Sequence, residues 1–375
     1  MWKISMGSIF SMKQIITDRR ALHRIPELDR ELDRTMAYLR TALKGLRCRV
    51  FAPVPNSLCA FFDNESDSAI AFRCGCDGLP VHERSFLPFA SEHPGQMHAC
   101  GHDGHMAMLL ELARRMEHVR ASRNVLLIFQ PAEETTGGAR DICKSGVFEK
   151  YNVEAVFGMH LWPDLPLGTI ASREGAMMSR SCEVTLRFMG RSCSAARRDE
   201  GVDALRTAVE FYRRATELAS AGPKEPPRLL HFGRMESLGP CNVVSDFARL
   251  EGTLRALDDE SFLAILHGLE RIAADIHGET GCKIELETSM GYPALVNPPE
   301  LCARLREVGV QFVDLEQPVM VTEDFSWYQR HLPGLFFLLG VGPCPALQSE
   351  DFNFDEAALE TGADFLESIA LNYRT

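Results

Sequence analysis

Three short runs in this chain are apolar almost from end to end: AIAFRCG (Ala69–Gly75), NVLLIFQ (Asn124–Gln130) and AVFGMHLW (Ala155–Trp162). A strand with hydrophobic groups on both faces must be covered on both faces, so it belongs in the middle of a sheet packed between helices. The first run ends in glycine and a DGLP turn, and the second is halted by Pro131. Between them MAMLLELARRM carries apolar residues at helical spacing, with Asp103 placed to cap that helix. Residues 13–45 read as a helix pair broken at Pro26. Strands alternating with helices predict a mostly parallel sheet whose reactive groups collect where strands end and loops begin.

After about Met178 the pattern changes. CEVTLRFMG alternates like a half-exposed strand, VDALRTAVEFYRRATEL is helical, LLHFGRMES and FARLEGTLRAL are strands, and DDESFLAILHGLERIAADIH is a second helix. The order β-α-β-β-α-β is that of a ferredoxin-like open sandwich. From about Pro293 the first pattern resumes with VMVTEDFSW and LPGLFFLLGVG. The expected architecture is therefore an α/β domain with a mostly parallel sheet, built from residues 1–178 and 293–375, interrupted by a ferredoxin-like α+β domain over 179–292.

A chain of 375 residues can enclose a buried active site, and 45% hydrophobic with 25% charged residues excludes a disordered or fibrous protein. The formal charge of −12 and the absence of a long Lys/Arg run argue against nucleic acid or an anionic membrane as partner, leaving a small molecule. The start, MWKISMGSIFSMKQ, is too polar and broken for a signal peptide, which predicts a cytoplasmic protein. Twelve cysteines scattered singly from Cys48 to Cys344 fit reduced, mostly core-packed thiols better than a disulfide framework.

The densest chemistry is HACGHDGH, His98–His105. Cys100 and His102, two residues apart, can face one side of an extended backbone, and a thiolate with an imidazole suits zinc, manganese or cobalt. The alternative is a helix-capping loop with incidental histidines. QPAEETTGG places Glu133 and Glu134 directly after a buried strand. Adjacent carboxylates on extended backbone point apart, so one can bind metal while the other faces a water polarised by it. His160, at the end of the third apolar run, is a candidate ligand by position. His105, on the first helical turn, suits packing or support of a ligand better than ligation, and His98 is open.

These segments resemble the metal-dependent amidohydrolases that include hippurate hydrolases, aminoacylases, N-acetyldiaminopimelate deacetylases and indole-acetyl-amino-acid hydrolases. The likeness runs through LHRIPEL, DGLPVHE, MHACGHDGHMAMLL, LIFQPAEE, VFGMHLWPDLPLGTI, NVVSD, EGTLR, TEDFSWY, PGLFFLLG and FNFDEAAL, covering nearly the whole chain in family order. It implies a metal-binding domain with an inserted lid or dimerisation domain, a homodimer, and up to two divalent ions, Mn2+ or Zn2+, per subunit. It further implies that Cys100, His102, Glu134 and His160 are metal ligands, that Glu133 is the general base and then the acid in amide hydrolysis, and that Asp77 supports the metal motif. Asn242 and Arg255 match residues holding the substrate's carboxylate, a role suited to the guanidinium fork. The implied substrate is an N-acyl amino acid or related amide conjugate.

The chain departs from the family's pattern at four places. Gln348 stands where a C-terminal histidine ligand is expected, so one of the two metal positions should be weaker, with Cys344 or Asp351 as conceivable substitutes. Ser194 replaces a histidine that steadies the oxyanion in the neighbouring subunit's site, Asp199 stands in place of a second histidine, and Gly75 in place of an aspartate. Two readings are open: an amidohydrolase with altered metal occupancy and reduced activity, or a family member that binds its ligand or regulates without hydrolysing.

Overall fold

The computed structural model describes residues 6–221 and 226–374. Met1–Ser5, the start of the segment read as an N-terminus without a leader, lie outside the described residues. The chain divides into two compact units: the first takes the chain up to Gly175, Val296–Glu316 and Asp324 onward, the second Ala176–Leu295 with Gln317–Glu323.

In the first unit an eight-stranded sheet has the spatial order Arg49–Phe51, Leu58–Phe62, Asn124–Gln130, Ala69–Gly75, Val153–Trp162, Gly334–Gly340, Ile170–Ser172, Val313–Asp314. The central four strands run parallel, and antiparallel pairing occurs toward the edges. Every residue of Ala69–Gly75, Asn124–Gln130 and Gly334–Gly340 is buried, as runs apolar on both faces require. The chain leaves the Ala69–Gly75 strand, pairs on one side as Asn124–Gln130 and then on the other as Val153–Trp162. That reversal places a crevice at the carboxyl ends of these strands.

Helix His102–His118 crosses between the first two of these strands and buries Met106, Leu109, Leu110, Leu112 and Ala113. Asp103 does not cap it. The N-cap is Gly101, with no side-chain cap bond, and its φ of 81° turns the chain sharply into the helix. Asp103 is instead fully buried, accepting from Arg19 Nε at 2.8 Å and from His23 Nδ1 at 2.8 Å. His23 Nε2 reaches Glu83 Oε1 at 3.2 Å, and Arg19 also binds Glu356 and Asn353. Burial alone would raise the Asp103 pKa, but Arg19 and His23 outweigh it and hold the carboxyl well below its usual range. Burial likewise opposes charge on His23, and the two carboxylates overcome it and raise its pKa.

The second unit is a four-stranded antiparallel sheet in the order Lys283–Thr288, Arg180–Met189, Phe247–Ala256, Arg228–Glu236, with helices Ala204–Ser220 and Asp259–Thr280. This is the ferredoxin-like order. Its helices start where Asp203 and Asp258 accept backbone N–H groups from Arg206 and Ser261, each three residues on. The unit has its own core, centred on Val184, Leu186, Phe188, Phe211, Leu250 and Leu269.

VMVTEDFSW does not resume the strand pattern. Val319 and Ser179 donate backbone bonds to Met177 and Val321, both at 2.9 Å, so Gln317–Glu323 groups with the second unit and the first resumes at Asp324. Among the described residues no helix is long and apolar enough to cross a membrane.

Two outcomes are expected from this packing. Phe157 is fully buried between Phe72 and Tyr373, with ring centroids 5.6 and 5.7 Å away. Phe157→Ala should cost about 3–5 kcal/mol in urea unfolding; a loss below about 1 kcal/mol would show that the central sheet is not the stabilising core. For His23, a raised folded pKa means its contribution is complete below the unfolded value near ~6.5 and is lost as pH rises through the folded value. The melting-temperature gap between the parent and His23→Gln should therefore shrink as pH rises, and a pH-independent gap would exclude a charged His23.

Candidate metal centre

Strands Asn124–Gln130, Ala69–Gly75 and Val153–Trp162 are immediate neighbours, so the residues that close each strand, or come just after it, meet at a common edge. Asp77 lies two residues past the first apolar strand, Glu133 and Glu134 come after the second beyond a turn in which Ala132 has φ 56°, and His160 sits near the end of the third. Cys100 and His102 enter from the mouth of the His102–His118 helix, on either side of Gly101. A Cβ at residue 101 would come within 2.9 Å of Leu161 Cδ1, so glycine there serves both the turn and the approach.

These side chains converge. Cys100 Sγ lies 3.4 Å from His160 Nε2, and His160 Nδ1 donates to its neighbour's carbonyl, Leu161 O, at 2.7 Å. His102 Nδ1 donates to Asp77 O at 2.7 Å, and its Nε2 faces Glu133 Oε2 at 3.6 Å and Glu134 Oε1 at 3.9 Å. A carbonyl oxygen can only accept, so in both histidines Nδ1 carries a proton, and Nε2 is the nitrogen whose lone pair is exposed when the ring is neutral, as it must be to bind a metal. The Asp77 carboxylate accepts the backbone N–H of Glu133 on one oxygen and of Glu134 on the other, each at 3.0 Å. Asp77 thus orients both glutamates and His102.

Two of the sets of ligand atoms that lie within 4.8 Å of one another include His102: Cys100, His102 and His160, and His102, Glu133 and Glu134. Zinc bonds of about 2.0 Å to nitrogen and about 2.3 Å to sulfur put tetrahedral ligands roughly 3.5 Å apart, close to the spacing of Cys100 and His160. The electrostatics agree with a cation here. Burial opposes charge on His102, yet the hydrogen bond to Asp77 and the charges of Glu134 and Asp77 outweigh burial and raise its pKa to about 9. A buried pocket that draws positive charge onto an imidazole, with thiol, imidazole and carboxylate donors, fits a borderline-soft divalent ion.

The other histidines of the motif stand apart. His105 Nε2 accepts the Leu161 N–H at 3.0 Å, which occupies its lone pair, and burial first, then the neighbouring His160, pushes its pKa well down. His98 is buried with neither ring nitrogen hydrogen-bonded among the described residues, and burial lowers its pKa to about 4. Gly75, the missing aspartate, has a packing reason: a Cβ there would stand 2.8 Å from His102 Cε1 and 3.0 Å from Nδ1. The His102 ring lies in the space that a side chain would fill.

Gln348 is exposed, with φ 66°, and donates its backbone N–H to Ala99 O at 2.8 Å. Its side-chain amide donates to Glu134 Oε2 at 3.4 Å. Neither Gln348's neighbour Asp351 nor Cys344 belongs to a ligand group among the described residues. Within the second unit, Ser194 and Asn242 are exposed and brought together, with Ala195 donating to Asn242 O at 2.9 Å. Arg255 Nη1 donates to Met320 O at 2.8 Å, and its buried Nε has no partner among the described residues. Asp199 is almost wholly exposed.

A polar layer beneath the site is absent from the expectations drawn from sequence. Arg73 Nε donates to Gln130 Oε1 at 2.7 Å, Gln130 Nε2 to Asp324 Oδ2 at 2.7 Å, and Tyr328 Oη to Gln130 Oε1 at 2.8 Å, while Arg73 also pairs with Asp324. The signal was a lone arginine inside AIAFRCG and a glutamine closing NVLLIFQ: polar groups in fully buried strands need buried partners.

The chain is 35% identical over 361 residues to an N-acetyldiaminopimelate deacetylase of Streptococcus sanguinis, covering 93% of this chain and 95% of that protein. A protein of the same name from Streptococcus pneumoniae is 32% identical over 370 residues, covering 95% and 98%. The crystal structure of the Bacillus subtilis YXEP protein, a dinuclear metal binding peptidase from the M20 family, superposes with a TM-score of 0.84 at 28% identity, covering 96% of this chain and 98% of that one. Residues 71–372, which contain every candidate ligand, match the model of peptidase family M20/M25/M40, and the chain belongs to that family.

Proposed function

We propose that this protein hydrolyses the amide bond of an N-acyl amino acid or a related small conjugate, releasing a carboxylic acid and an amino acid. The observation that carries the reading is the convergence of a buried thiol and two imidazoles with two adjacent glutamates whose backbone amides Asp77 holds apart on separate oxygens. Membership of a peptidase family and likeness to deacetylases of an N-acetylated amino acid support the substrate class.

Cys100, His102, His160 and Glu134 would hold divalent metal, Mn2+ or Zn2+, which when bound polarises a carbonyl and makes water nucleophilic near neutral pH. Glu133 takes the proton from the attacking water as the C–O bond forms. It then returns that proton to the amine nitrogen as the C–N bond breaks. Asp77 takes no part in the proton transfer; it fixes His102 through its carbonyl and both glutamates through its carboxylate. Arg255, with an Nε–H still unpartnered among the described residues, and Asn242 are suited to the substrate's carboxylate, and Ser194 offers a hydroxyl in place of the expected imidazole.

The protein works as a homodimer in the cytoplasm, without nucleic acid or membrane as partner. The inserted unit supports the pairing: its sheet ends in the strand Arg228–Glu236 with Leu229 and Met235 exposed, and helix Ala204–Ser220 exposes Leu205, Val209 and Tyr212. Twelve free thiols support a reducing compartment, and the charge of −12 disfavours polyanions.

Glu133→Gln should lower kcat on N-acyl amino acids by about 100- to 10,000-fold while metal content stays that of the parent. Full turnover in that variant would remove Glu133 from the reaction. A member that binds without turnover is the second reading, favoured by Gln348 at the expected ligand position and by Ser194 in place of an oxyanion donor. It predicts no amine release by the parent with any divalent metal, and turnover gained on combining Gln348→His with Ser194→His.

A further inference from the structure

The two sets of ligand atoms that contain His102 have that one residue in common, and it can serve only one of them. Its Nδ1–H is committed to Asp77 O at 2.7 Å, so Nε2 is its sole lone pair. The ring cannot swing to share itself, because it rests on Gly75 with Cε1, Nδ1 and Nε2 all within 3.1 Å of where a Cβ would be, and its nitrogen is fixed by a backbone carbonyl. The sets compete.

They do not compete equally. The first offers a thiol and two imidazoles from buried residues, which would bind a cation as thiolate and neutral rings, with both ring orientations set by backbone carbonyls. Outer contacts of that kind commonly change metal affinity by about 10- to 100-fold. Deprived of His102, the second is left with Glu133 and Glu134. Glu134 is further engaged by the Gln348 side-chain amide at 3.4 Å, and that amide brings no negative charge to a second cation.

We propose that this chain holds one tightly bound divalent ion of the zinc class, on Cys100, His102 and His160, and that Gln348, a neutral amide set against Glu134 Oε2, leaves the second position, and with it Glu134, without an ion. This rests on the metal-centre reading and sets the chain apart from its dinuclear structural relative. Three protein donors with an open fourth position is the usual composition of a catalytic zinc site, so a single ion is compatible with amide hydrolysis.

The test is ion counting on the full-length protein, stripped with a chelator, loaded with Zn2+ or Mn2+ alone and desalted, with affinities from calorimetry. The parent should retain one zinc per chain and hold manganese at least about tenfold more weakly. Gln348→His, an exposed substitution that leaves the core intact, should raise the count to two. Cys100→Ser should lose the tight ion and, with Co2+ as the probe, the thiolate-to-cobalt absorption band, whereas Glu134→Gln should keep both. Two tight zinc ions in the parent, or an ion kept by Cys100→Ser and lost by Glu134→Gln, would overturn the one-ion centre while leaving the metal reading in place. No ion retained by any form would overturn both.

Discussion

Asp77 is the residue through which the site is assembled. Its carbonyl takes the His102 ring, and its two carboxylate oxygens take the backbone of Glu133 and of Glu134. Three segments far apart in sequence are thereby held at hydrogen-bond tolerance, finer than apolar packing imposes. The imidazole also gains a defined orientation, with Nδ1–H committed to the carbonyl and Nε2 turned to the carboxylates as the nitrogen that a metal would take.

Around that residue the protein buries charge in layers, and each layer closes on itself. Below, Arg73, Gln130, Asp324 and Tyr328 tie two neighbouring strands to the returning chain. Behind, Arg19, His23 and Glu83 surround Asp103, the residue next to His102. Removing one member of such a group leaves its partner charged and buried, a cost of several kcal/mol, so the layers resist relaxation. The ligand cluster is rich in acid, and the Asp77 hydrogen bond with the charges of Glu134 and Asp77 pushes His102 toward the charged form against burial and against Arg73. That acid-rich setting is the physical reason for reading it as a metal centre.

Much of this was legible. The three apolar runs are strands at the residues expected, because strands buried on both faces leave an unbroken hydrophobic signature. The ferredoxin-like order of the inserted segment came from alternation and helical spacing. HACGHDGH and QPAEE offered donor residue types, and Cys100, His102, Glu133 and Glu134 of these motifs do lie in groups close enough to share a cation. Asp103 was misread as a cap because local rules weigh an acid at a helix start by its own backbone, whereas Arg19 and His23 lie about 80 residues earlier. Within VMVTEDFSW the first five residues were misplaced, because the backbone partners of Val319 and Val321, Met177 and Ser179, come from the inserted unit, whereas the run rejoins the first unit at Asp324.

The sequence by itself determined which residues could bind metal and which strands would be central, since donor chemistry and hydrophobic period are properties of the chain. Only the tertiary structure decided how those side chains meet: that His102 rests against Gly75 and donates Nδ1–H to Asp77 O, that the Asp77 carboxylate takes the backbone of Glu133 and Glu134, and that Gln348 turns its amide to Glu134. Lone-pair direction depends on which distant carbonyl occupies the opposite nitrogen, and that partner exists only once the strands have come together.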